Sequence, residues 1–354
     1  MPYQKDSFNL KNHVIMAPMT RSRAIENIPN ELMAQYYGQR ASAGLIITEG
    51  TAPAAEALGY PRIPGVFNQT QIDGWKKVTN EVHNGNGKIF IQLMHTGRIG
   101  HVDNLPKGLE LVGASDRKAA GQIFTDTKGM QDHGQPVALS HEGIQKVINA
   151  YVQASLNAME AGFDGVELHG ANGYLLEQFL NPNVNNRNDE YGGDIANRGR
   201  LVLEVVNEVA SVIGKDKVGI RFSPFSTLGD LQPYAEDDVK ETYAYLATEI
   251  NKIGIVYIHI ASNPAIPQET LELIRKNFTK TLILSSGFTP ETGETALQNG
   301  FADLIAFGRS FLANPDFVER IITGVALNQP DFTTLYTPGP NGYIDYPLLA
   351  DELK

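Results

Sequence analysis

Short apolar runs recur along the chain, and eight of them are typical of buried β-strands. They are rich in β-branched residues and are bounded by Gly, Pro or polar residues, as parallel strands covered on both faces should be. In chain order they are HVIMAPM at 13–19, GLIITEG at 44–50, KIFIQLMH at 88–95, DGVELHG at 164–170, KVGIRFSP at 217–224, IVYIHIAS at 255–262, TLILSSG at 281–287 and DLIAFGR at 303–309.

Helical patterns separate most of these runs. Apolar residues recur at steps of three and four in the segments 141–162, 199–214, 236–254 and 290–300. Eight strands alternating with helices predict an α/β fold, a closed (β/α)8 TIM barrel forming one domain over residues 1–354. A doubly wound sheet is the rival fold. It would require a glycine-rich dinucleotide fingerprint after its first strand, and the segment APMTRSR at that place contains no glycine.

One interval is too long for a simple connection. Residues 96–140 separate the third strand from its helix and are rich in Gly, Asp and Thr. A loop of that length inside a barrel is usually a functional excursion or a lid. The irregular, aromatic C-terminal segment YTPGPNGYIDYPLLADELK is a second unusual region.

Composition narrows the function classes. The formal net charge of −11 and pI near 5.2 argue against nucleic acid and anionic membranes as partners. The absence of cysteine excludes disulfides, thiolate nucleophiles, iron–sulfur clusters and cysteine-based zinc sites. The N-terminus lacks the apolar core of a signal peptide, and no stretch reaches the roughly 18 apolar residues of a membrane span, so we expect a cytoplasmic protein.

Polar residues at the carboxyl ends of the predicted strands should meet at one mouth, where such barrels place their active sites. That mouth has excess positive charge although the chain is acidic, which favours an anionic ligand, and glycines after strands seven and eight suit a phosphate. Individually each residue has an ordinary explanation: an ion pair for Arg221, a buried core amide for Gln92, a structural role for His169. The strand-end residues are Thr20, Glu49, Gly50, Gln92, His95, His169, Arg221, Gly287, Gly308 and Arg309.

Three polar side chains follow the fourth strand closely: His169, Asn172 and Tyr174. Two hydrogen-bond donors aimed at one point polarise a carbonyl or nitro oxygen. A phenol with a pKa near 10 is a poor base at neutral pH but a suitable acid for a carbanion-like carbon. This set favours reduction of an activated C=C bond, with hydride supplied by a redox cofactor. We see no partner ligands for a metal at His169.

Several longer motifs resemble the Old Yellow Enzyme family of FMN-dependent NAD(P)H ene-reductases. The segment GVELHGANGYLLEQFLNPNVNNRNDEYGG at 165–193 is the most specific. The resemblance implies a (β/α)8 barrel with non-covalent FMN, reduced by NADPH or NADH, which then reduces electron-poor alkenes such as enones, enals, maleimides and nitroalkenes. The further matching motifs are APMTRSRA at 17–24, IQLMHTGRI at 91–99, AFGRSFLANPDF at 306–317 and GYIDYP at 342–347.

The resemblance also implies roles for residues that match the family's cofactor site. The segment under the flavin ring would be Pro18, Met19 and Thr20, with Thr20 at flavin O4, and Gly50 would lie against the ring. Gln92 would read the pyrimidine edge and Arg221 would lie near N1. The phosphate cradle would be formed by Gly287, Phe288, Gly308 and Arg309.

On the substrate side, the resemblance makes His169 and Asn172 the pair that grips the substrate oxygen, and Tyr174 the proton donor. Tyr60 and Tyr336 match aromatic positions beside the substrate. Many relatives carry Trp where this chain has Met94, so we expect a roomier pocket with altered substrate scope or facial selectivity.

Two alternatives stay open, and the chain is expected to be a monomer or a homodimer. A reductase acting chiefly on nitro compounds or nitrate esters would use the same oxygen donors. A flavin-binding barrel without turnover would be a different class of protein, although the presence of Tyr174, His169 and Asn172 argues against it.

Overall fold

A closed barrel of eight parallel strands lies at the centre of the computed structural model, which describes residues 1–352. An antiparallel hairpin of strands β1 (Tyr3–Lys5) and β2 (Phe8–Leu10) precedes it. The remaining strands are β3 (Val14–Met16), β4 (Leu45–Thr51), β5 (Ile89–Leu93), β6 (Val112–Gly113), β7 (Gln122–Thr125), β8 (Gly129–Asp132), β9 (Val137–Ala138), β10 (Gly165–Gly170), β11 (Val218–Phe222), β12 (Tyr257–Ala261), β13 (Thr281–Ser285) and β14 (Leu304–Phe307). Neighbours around the barrel follow the order β3-β4-β5-β10-β11-β12-β13-β14, and β14 pairs with β3.

Helices alternate with the barrel strands, and the predicted (β/α)8 barrel is therefore confirmed. The structure describes 352 of the 354 residues. That residues 1–354 form a single domain stays a prediction. Among the helices of residues 1–352, none combines the length and the hydropathy that a bilayer crossing requires. The helices are α1 (Glu31–Gly38), α2 (Gln69–Asn84), α3 (His141–Glu160), α4 (Leu175–Leu180), α5 (Ile195–Ile213), α6 (Glu236–Ile253), α7 (Gln268–Asn277), α8 (Pro290–Gln298), α9 (Arg309–Ala313), α10 (Phe317–Thr323) and α11 (Leu349–Glu352).

The strands that begin and end the barrel sequence are shorter than their apolar runs. Strand β3 ends at Met16 rather than at residue 19, and β14 ends at Phe307 rather than at residue 309. One further backbone hydrogen bond, from Ala17 N to Phe307 O at 3.0 Å, extends the pairing. Pro18 follows and has no N–H to donate, so the ladder ends there. The last residues of both runs therefore belong to the loops at the carboxyl end.

Local sequence signals explain where the helices begin. Side-chain oxygens accept hydrogen bonds from free backbone N–H groups in the first turn and so replace partners that the helix cannot provide. Thr289 and Thr292 form a reciprocal capping box at the start of α8. The other capping residues of this kind are Asn30, Asn68, Ser140 and Asp194.

The amino end of the barrel is closed by apolar packing. The hairpin places Tyr3 and Phe8 under the barrel, where Phe8 packs against Phe90 and Tyr257 at ring-centroid distances of 6.1 and 6.0 Å. The Tyr3 hydroxyl also bonds Thr281 Oγ1 at 2.8 Å. Because this end is filled, a ligand has access to the barrel from the carboxyl end.

The predicted excursion after the third barrel strand is confirmed, but it is not structureless. Residues 96–140 contain the antiparallel hairpin β7–β8 and the parallel pair β6–β9.

The second unusual region, near the C-terminus, is held by buried arginines. Arg21 donates to the carbonyl oxygens of Leu335 and Gly342 at 3.2 and 2.6 Å, and Arg23 donates to Thr334 O at 2.8 Å. Both irregular regions are thereby fixed over the carboxyl end.

Candidate active site

Two cavities open at the carboxyl end of the barrel. The first, called here the glycine-arginine cavity, has a volume of about 480 Å³ and is formed by the ends of β11, β13 and β14 with the loop after β3. It brings together most of the residues predicted to bind the cofactor. These are Pro18, Met19, Arg221, Gly287, Phe288, Gly308 and Arg309.

The second cavity, called here the tyrosine cavity, is larger, at about 870 Å³. Its walls come from Thr20, from the hairpin β7–β8 and from the segment around residues 332–338. Met19 and Thr20 are consecutive but line different cavities, so residues 17–22 form a shared wall. The predicted substrate-side residues Tyr60, Tyr174 and Tyr336 all line the tyrosine cavity.

Arg221 is the buried cation of the glycine-arginine cavity. It lies in β11 with a relative exposure of 8%, and its Nη2 donates to Ser285 Oγ at 3.3 Å. Its Nε is buried and has no hydrogen-bond partner among the described residues. Burial lowers the pKa of Arg221, and nearby Glu167 opposes that shift. A buried donor without a partner normally finds one in a ligand or in water.

A hydrogen-bonded group of polar side chains lies inside the barrel beside Arg221. Gln92 Nε2 donates to Glu167 Oε1, and His259 Nδ1 contacts Glu167 Oε2, both at 2.8 Å. Burial alone would raise the pKa of Glu167, but His259, Arg221 and Gln92 hold it below its usual value. The amide of Gln92 is therefore oriented by an ionised carboxylate.

The loop after β13 has an unusual backbone that suits an anion. Ser286 and Gly287 have φ angles of +76° and +79°, in the left-handed region. A Cβ at Gly287 would meet nothing within 4 Å, so the space beside its α-carbon is open, and Gly287 lines the cavity. Backbone N–H groups in such a turn can converge on an anion. Arg309 adds an exposed guanidinium at the rim.

The substrate-side trio extends from strand β10, which contains His169, through the turn at Asn172 to Tyr174, the residue before α4. The ring of His169 is 4.9 Å from the ring of Tyr174, edge to face at 77°. The Tyr174 hydroxyl donates to the Tyr60 hydroxyl at 3.2 Å. Asn172 is half-buried and has a φ of +59°, and its N–H donates to Ser223 Oγ at 2.8 Å.

Electrostatics keep both titratable members of this trio neutral. Burial, and then the positive charge of Arg221, lower the pKa of His169 well below its usual value. Burial and the neighbouring Tyr60 phenol raise the pKa of Tyr174 well above 10. His169 is thus an uncharged imidazole whose Nδ1 is buried without a protein partner among the described residues. Tyr174 retains its proton at every physiological pH.

Five predicted residues are not on the walls of either cavity: Gly50, Gln92, Met94, His169 and Asn172. His169 and Asn172 adjoin the tyrosine cavity through Tyr174, whereas Gly50 and Met94 pack against each other. Met94 is 1% exposed and packs in an apolar cluster with Ala52, Leu58 and Ile63. A Cβ at Gly50 would overlap the Met94 side chain, its sulfur being 2.5 Å away. Met94 therefore fills the space beside Gly50 and supports the wall from behind.

Sequence reasoning missed the residues that support the predicted ones. Glu167 and His259 sit in β10 and β12, in register with Gln92 and Arg221 respectively. The available signal was a charged or ionisable residue inside an otherwise apolar strand at the same level as a predicted site residue. Glu177, Ser223 and Tyr243 form a second buried network behind the turn that carries Asn172.

The sequence matches a known family and curated relatives over most of its length. Residues 1–328 match the model described as the NADH:flavin oxidoreductase / NADH oxidase family. The chain is 39% identical to 12-oxophytodienoate reductase 1 of Oryza sativa subsp. japonica over 360 residues, which covers 99% of this chain and 93% of the rice protein. It is 38% identical to 12-oxophytodienoate reductase 2 of Arabidopsis thaliana, with 98% and 95% of the two chains covered.

Solved structures agree with this match. Morphinone reductase in complex with tetrahydroNAD superposes with a TM-score of 0.95 and 41% identity, covering 100% of this chain and 98% of that chain. An Old Yellow Enzyme homologue from Zymomonas mobilis superposes with a TM-score of 0.93 and 36% identity, covering 98% and 99% of the two chains.

Proposed function

The chain belongs to the NADH:flavin oxidoreductase / NADH oxidase family, and on this premise we propose that it is an FMN-dependent NAD(P)H reductase of electron-poor alkenes. The family match confirms the resemblance to the Old Yellow Enzymes. One observation carries the proposal. The neutral Tyr174 hydroxyl lies beside neutral His169 on an aromatic cavity, and that cavity shares residues 17–22 with a cationic one.

The glycine-arginine cavity has the groups that FMN requires. The unpaired Nε of Arg221 and the open backbone at Gly287 offer donors, and Arg309 adds a second positive charge for a phosphate. Gln92 presents a fixed amide beside the cavity. Pro18 and Met19 would form the floor and Phe288 one side. When bound, FMN supplies the hydride chemistry that protein side chains lack.

The tyrosine cavity would hold the substrate. We assign His169 and Asn172 to the oxygen of an enone, enal, maleimide or nitroalkene, because two donors polarise that oxygen and make the β-carbon electron-poor. Tyr174 would donate its proton at the α-carbon, and its raised pKa keeps that proton available. Tyr60 would exclude water around the alkene, and Tyr336 would border it at the exposed rim.

Relatives support a nicotinamide as the reductant and an alkene as the substrate. The plant proteins are named as reductases of 12-oxophytodienoate, and a close structural neighbour was solved with tetrahydroNAD. We extend these properties to the present chain as part of the proposal. The choice between NADPH and NADH, the cytoplasmic location and the monomeric or dimeric state stay predictions.

The test of this function is optical. Purified protein should be yellow, should bleach anaerobically with NADPH or NADH, and should regain its colour with cyclohexenone. Bleaching without recovery by any enone, together with rapid recovery by a nitrate ester, would favour the nitro-compound alternative. A yellow protein that neither nucleotide bleaches would be a flavin-binding barrel without turnover.

A further inference from the structure

The turn that carries Asn172 and Tyr174 has a backbone that needs external support. Asn172 and Gly173 have consecutive left-handed φ angles of +59° and +80°. Glycine adopts this region readily, but an asparagine with a β-carbon does so at a cost. A Cβ at Gly173 would overlap the carbonyl oxygen of Leu228, so the turn also lies tightly against a neighbouring loop. Strained residues persist where the surroundings over-determine their conformation.

Glu177 is the centre of that support. Its side chain is buried, with a relative exposure of 3%, and both oxygens accept hydrogen bonds. Gly173 N donates to Oε2 at 2.8 Å, and Tyr243 Oη donates to Oε1 at 2.9 Å. Ser223 Oγ lies 2.8 and 2.9 Å from the two oxygens. One carboxylate therefore connects the turn, the residue that follows strand β11, and helix α6.

Ser223 links this carboxylate to Asn172. Its hydroxyl donates to Glu177 and accepts from Asn172 N at 2.8 Å. Both amides of the left-handed pair are thus held, Gly173 directly and Asn172 through one hydroxyl. A cavity of about 200 Å³ lies behind Glu177, so close packing does not fix the carboxylate on that side. Its hydrogen bonds do.

We propose that Glu177 is a positioning residue that acts through Ser223 and the Gly173 amide to hold Asn172 and Tyr174 in their reactive arrangement. The inference rests on the proposed alkene reduction. Glu177 touches neither cavity wall that the substrate or FMN would contact. Its role is to keep the oxygen-binding amide and the phenol at fixed separation from the His169 ring.

Two variants give a matched comparison. Ser223→Ala and Tyr243→Phe each remove one buried hydroxyl that donates to the same carboxylate. Only Ser223 also bonds the turn. We expect similar losses of thermal stability from both variants. The probe is p-hydroxybenzaldehyde, a phenol whose oxygen would take the place of the substrate oxygen. In Ser223→Ala alone it should bind about tenfold more weakly, because a lost hydrogen bond of ordinary strength corresponds to roughly that factor. FMN content should not change in either.

Glu177→Gln tests the carboxylate itself, and it is compared with wild type at pH 8, where Glu177 is ionised although burial raises its pKa to about 7. An amide nitrogen in place of one oxygen cannot accept, so a hydroxyl of Ser223 or Tyr243 that faces it must turn its proton away, and fewer hydrogen bonds then fix the side chain. We expect faster hydrogen exchange at the amides of Asn172 and Gly173 in Glu177→Gln and in Ser223→Ala, and wild-type exchange there in Tyr243→Phe. This readout requires no substrate and no turnover.

Equal phenol affinity in Ser223→Ala and Tyr243→Phe, or unchanged exchange at the turn in Glu177→Gln, would overturn the positioning role. Failure of the wild-type protein to reduce any enone would instead count against the proposed function. Faster exchange at the turn in both Ser223→Ala and Glu177→Gln, with wild-type exchange in Tyr243→Phe, would support the role of Glu177 as its anchor in either case. The two failures are therefore distinguishable.

Discussion

The two cavities at the carboxyl end differ in what builds them. The glycine-arginine cavity is formed by the ends of barrel strands and the short loops that follow them. The tyrosine cavity is formed largely by the hairpin β7–β8 and by the segment at 332–338, both outside the barrel. On the proposed function, the regular barrel holds the cofactor, whereas irregular segments shape the space for the substrate. Rigid strands suit a fixed ligand, and variable loops suit specificity.

The cavities also differ in available charge. Arg221 has an unpaired Nε on one side of the shared wall. On the other side, Arg62 is the basic residue of the tyrosine cavity, and its guanidinium is already occupied. It pairs with Asp126 and donates to the carbonyl oxygens of Ser22 and Tyr336 at 3.1 and 3.0 Å. A phosphate should therefore prefer the glycine-arginine cavity, and an uncharged alkene should prefer the tyrosine cavity.

The strongest test of this division is Tyr174→Phe. The ring remains and packing should survive, but the α-carbon loses its proton donor. Reoxidation by cyclohexenone should slow by roughly 10²- to 10⁴-fold, the usual contribution of a general acid. Bleaching by NADPH should remain nearly unchanged, because that step takes no proton from the protein. Anaerobic stopped-flow absorbance measures both half-reactions.

The control for Tyr174→Phe is Phe332→Leu, at the exposed rim of the same cavity, where 59% of the residue is accessible and no role in the reaction is assigned. This change should affect neither half-reaction appreciably. Nitroalkenes should suffer less than enones in Tyr174→Phe, since a nitronate is stable enough to be protonated by water. Equal slowing of both half-reactions would mean that Tyr174 shapes the cavity and donates nothing.

The next effect in size concerns the two residues proposed to bind the substrate oxygen. His169→Ala and Asn172→Ala should each weaken binding of p-hydroxybenzaldehyde and slow enone reduction, because a lost oxyanion donor typically costs about 3 kcal/mol. The long-wavelength charge-transfer band of the phenol complex should fade in titrations of both variants. FMN content should stay at the wild-type level if the two cavities are independent. Unchanged bands in both variants would remove this pair from the site.

The sequence predicted the barrel well because its strands leave a local signal. Short β-branched runs bounded by Gly, Pro or polar residues are visible without tertiary information. Residues at strand ends, such as Arg221 and Gly287, could be grouped because parallel strands bring their carboxyl ends together. Asn172 and Tyr174 were found through proximity to His169 along the chain.

The supporting residues could not be found in this way. Glu177 lies in a helix, and its importance depends on Ser223 and Tyr243, which are far away in sequence. Such contacts arise only once β10, β11 and α6 pack together. The placement of Met94 behind Gly50, rather than on a cavity wall, likewise depends on side-chain packing that no periodic pattern encodes.

A third, smaller effect is expected in the other cavity. Arg221→Ala should weaken FMN binding by about 2 kcal/mol, or roughly thirtyfold, because a charge-assisted hydrogen bond is lost. On the proposed function it should also lower the flavin reduction potential, since the negative charge of the reduced cofactor would lose a nearby cation. Arg309→Ala, an exposed cation of the same cavity, is the control and should lose much less, because solvent screens it. Fluorescence titration of FMN gives both affinities. Full flavin and a wild-type reduction rate in Arg221→Ala would make Arg221 a structural residue only.

The smallest effect tests the wall between the cavities. Glu49 is buried behind residues 17–22, where Arg21 N donates to its Oε2 at 3.2 Å and Tyr37 Oη donates to its Oε1 at 3.3 Å. Burial raises the pKa of Glu49 to about 7, against 4.5 for an ordinary glutamate. The folded state therefore holds this proton more tightly than the unfolded state does. Its contribution to stability is complete below pH 4.5 and is lost as pH rises through 7.

Glu49→Gln should remove that pH dependence while preserving the shape of the wall. One proton released with a pKa near 7 corresponds to about 1.4 kcal/mol of unfolding free energy lost between pH 6 and pH 8. Urea unfolding of the FMN-bound protein should show that the unfolding free energy of wild type falls between pH 6 and pH 8. In Glu49→Gln this fall should be smaller by about 1.4 kcal/mol. Glu177 also has a pKa of about 7 from burial, so part of the wild-type slope should remain in the variant. The exposed Glu110→Gln controls for the loss of one negative charge and should leave the slope intact.

A slope identical in wild type and Glu49→Gln would mean that Glu49 is already ionised at pH 6. In that case the negative charge of Glu49 would interact with the positive charge of Arg21. This attraction, rather than a buried neutral carboxyl, would then hold the shared wall in position.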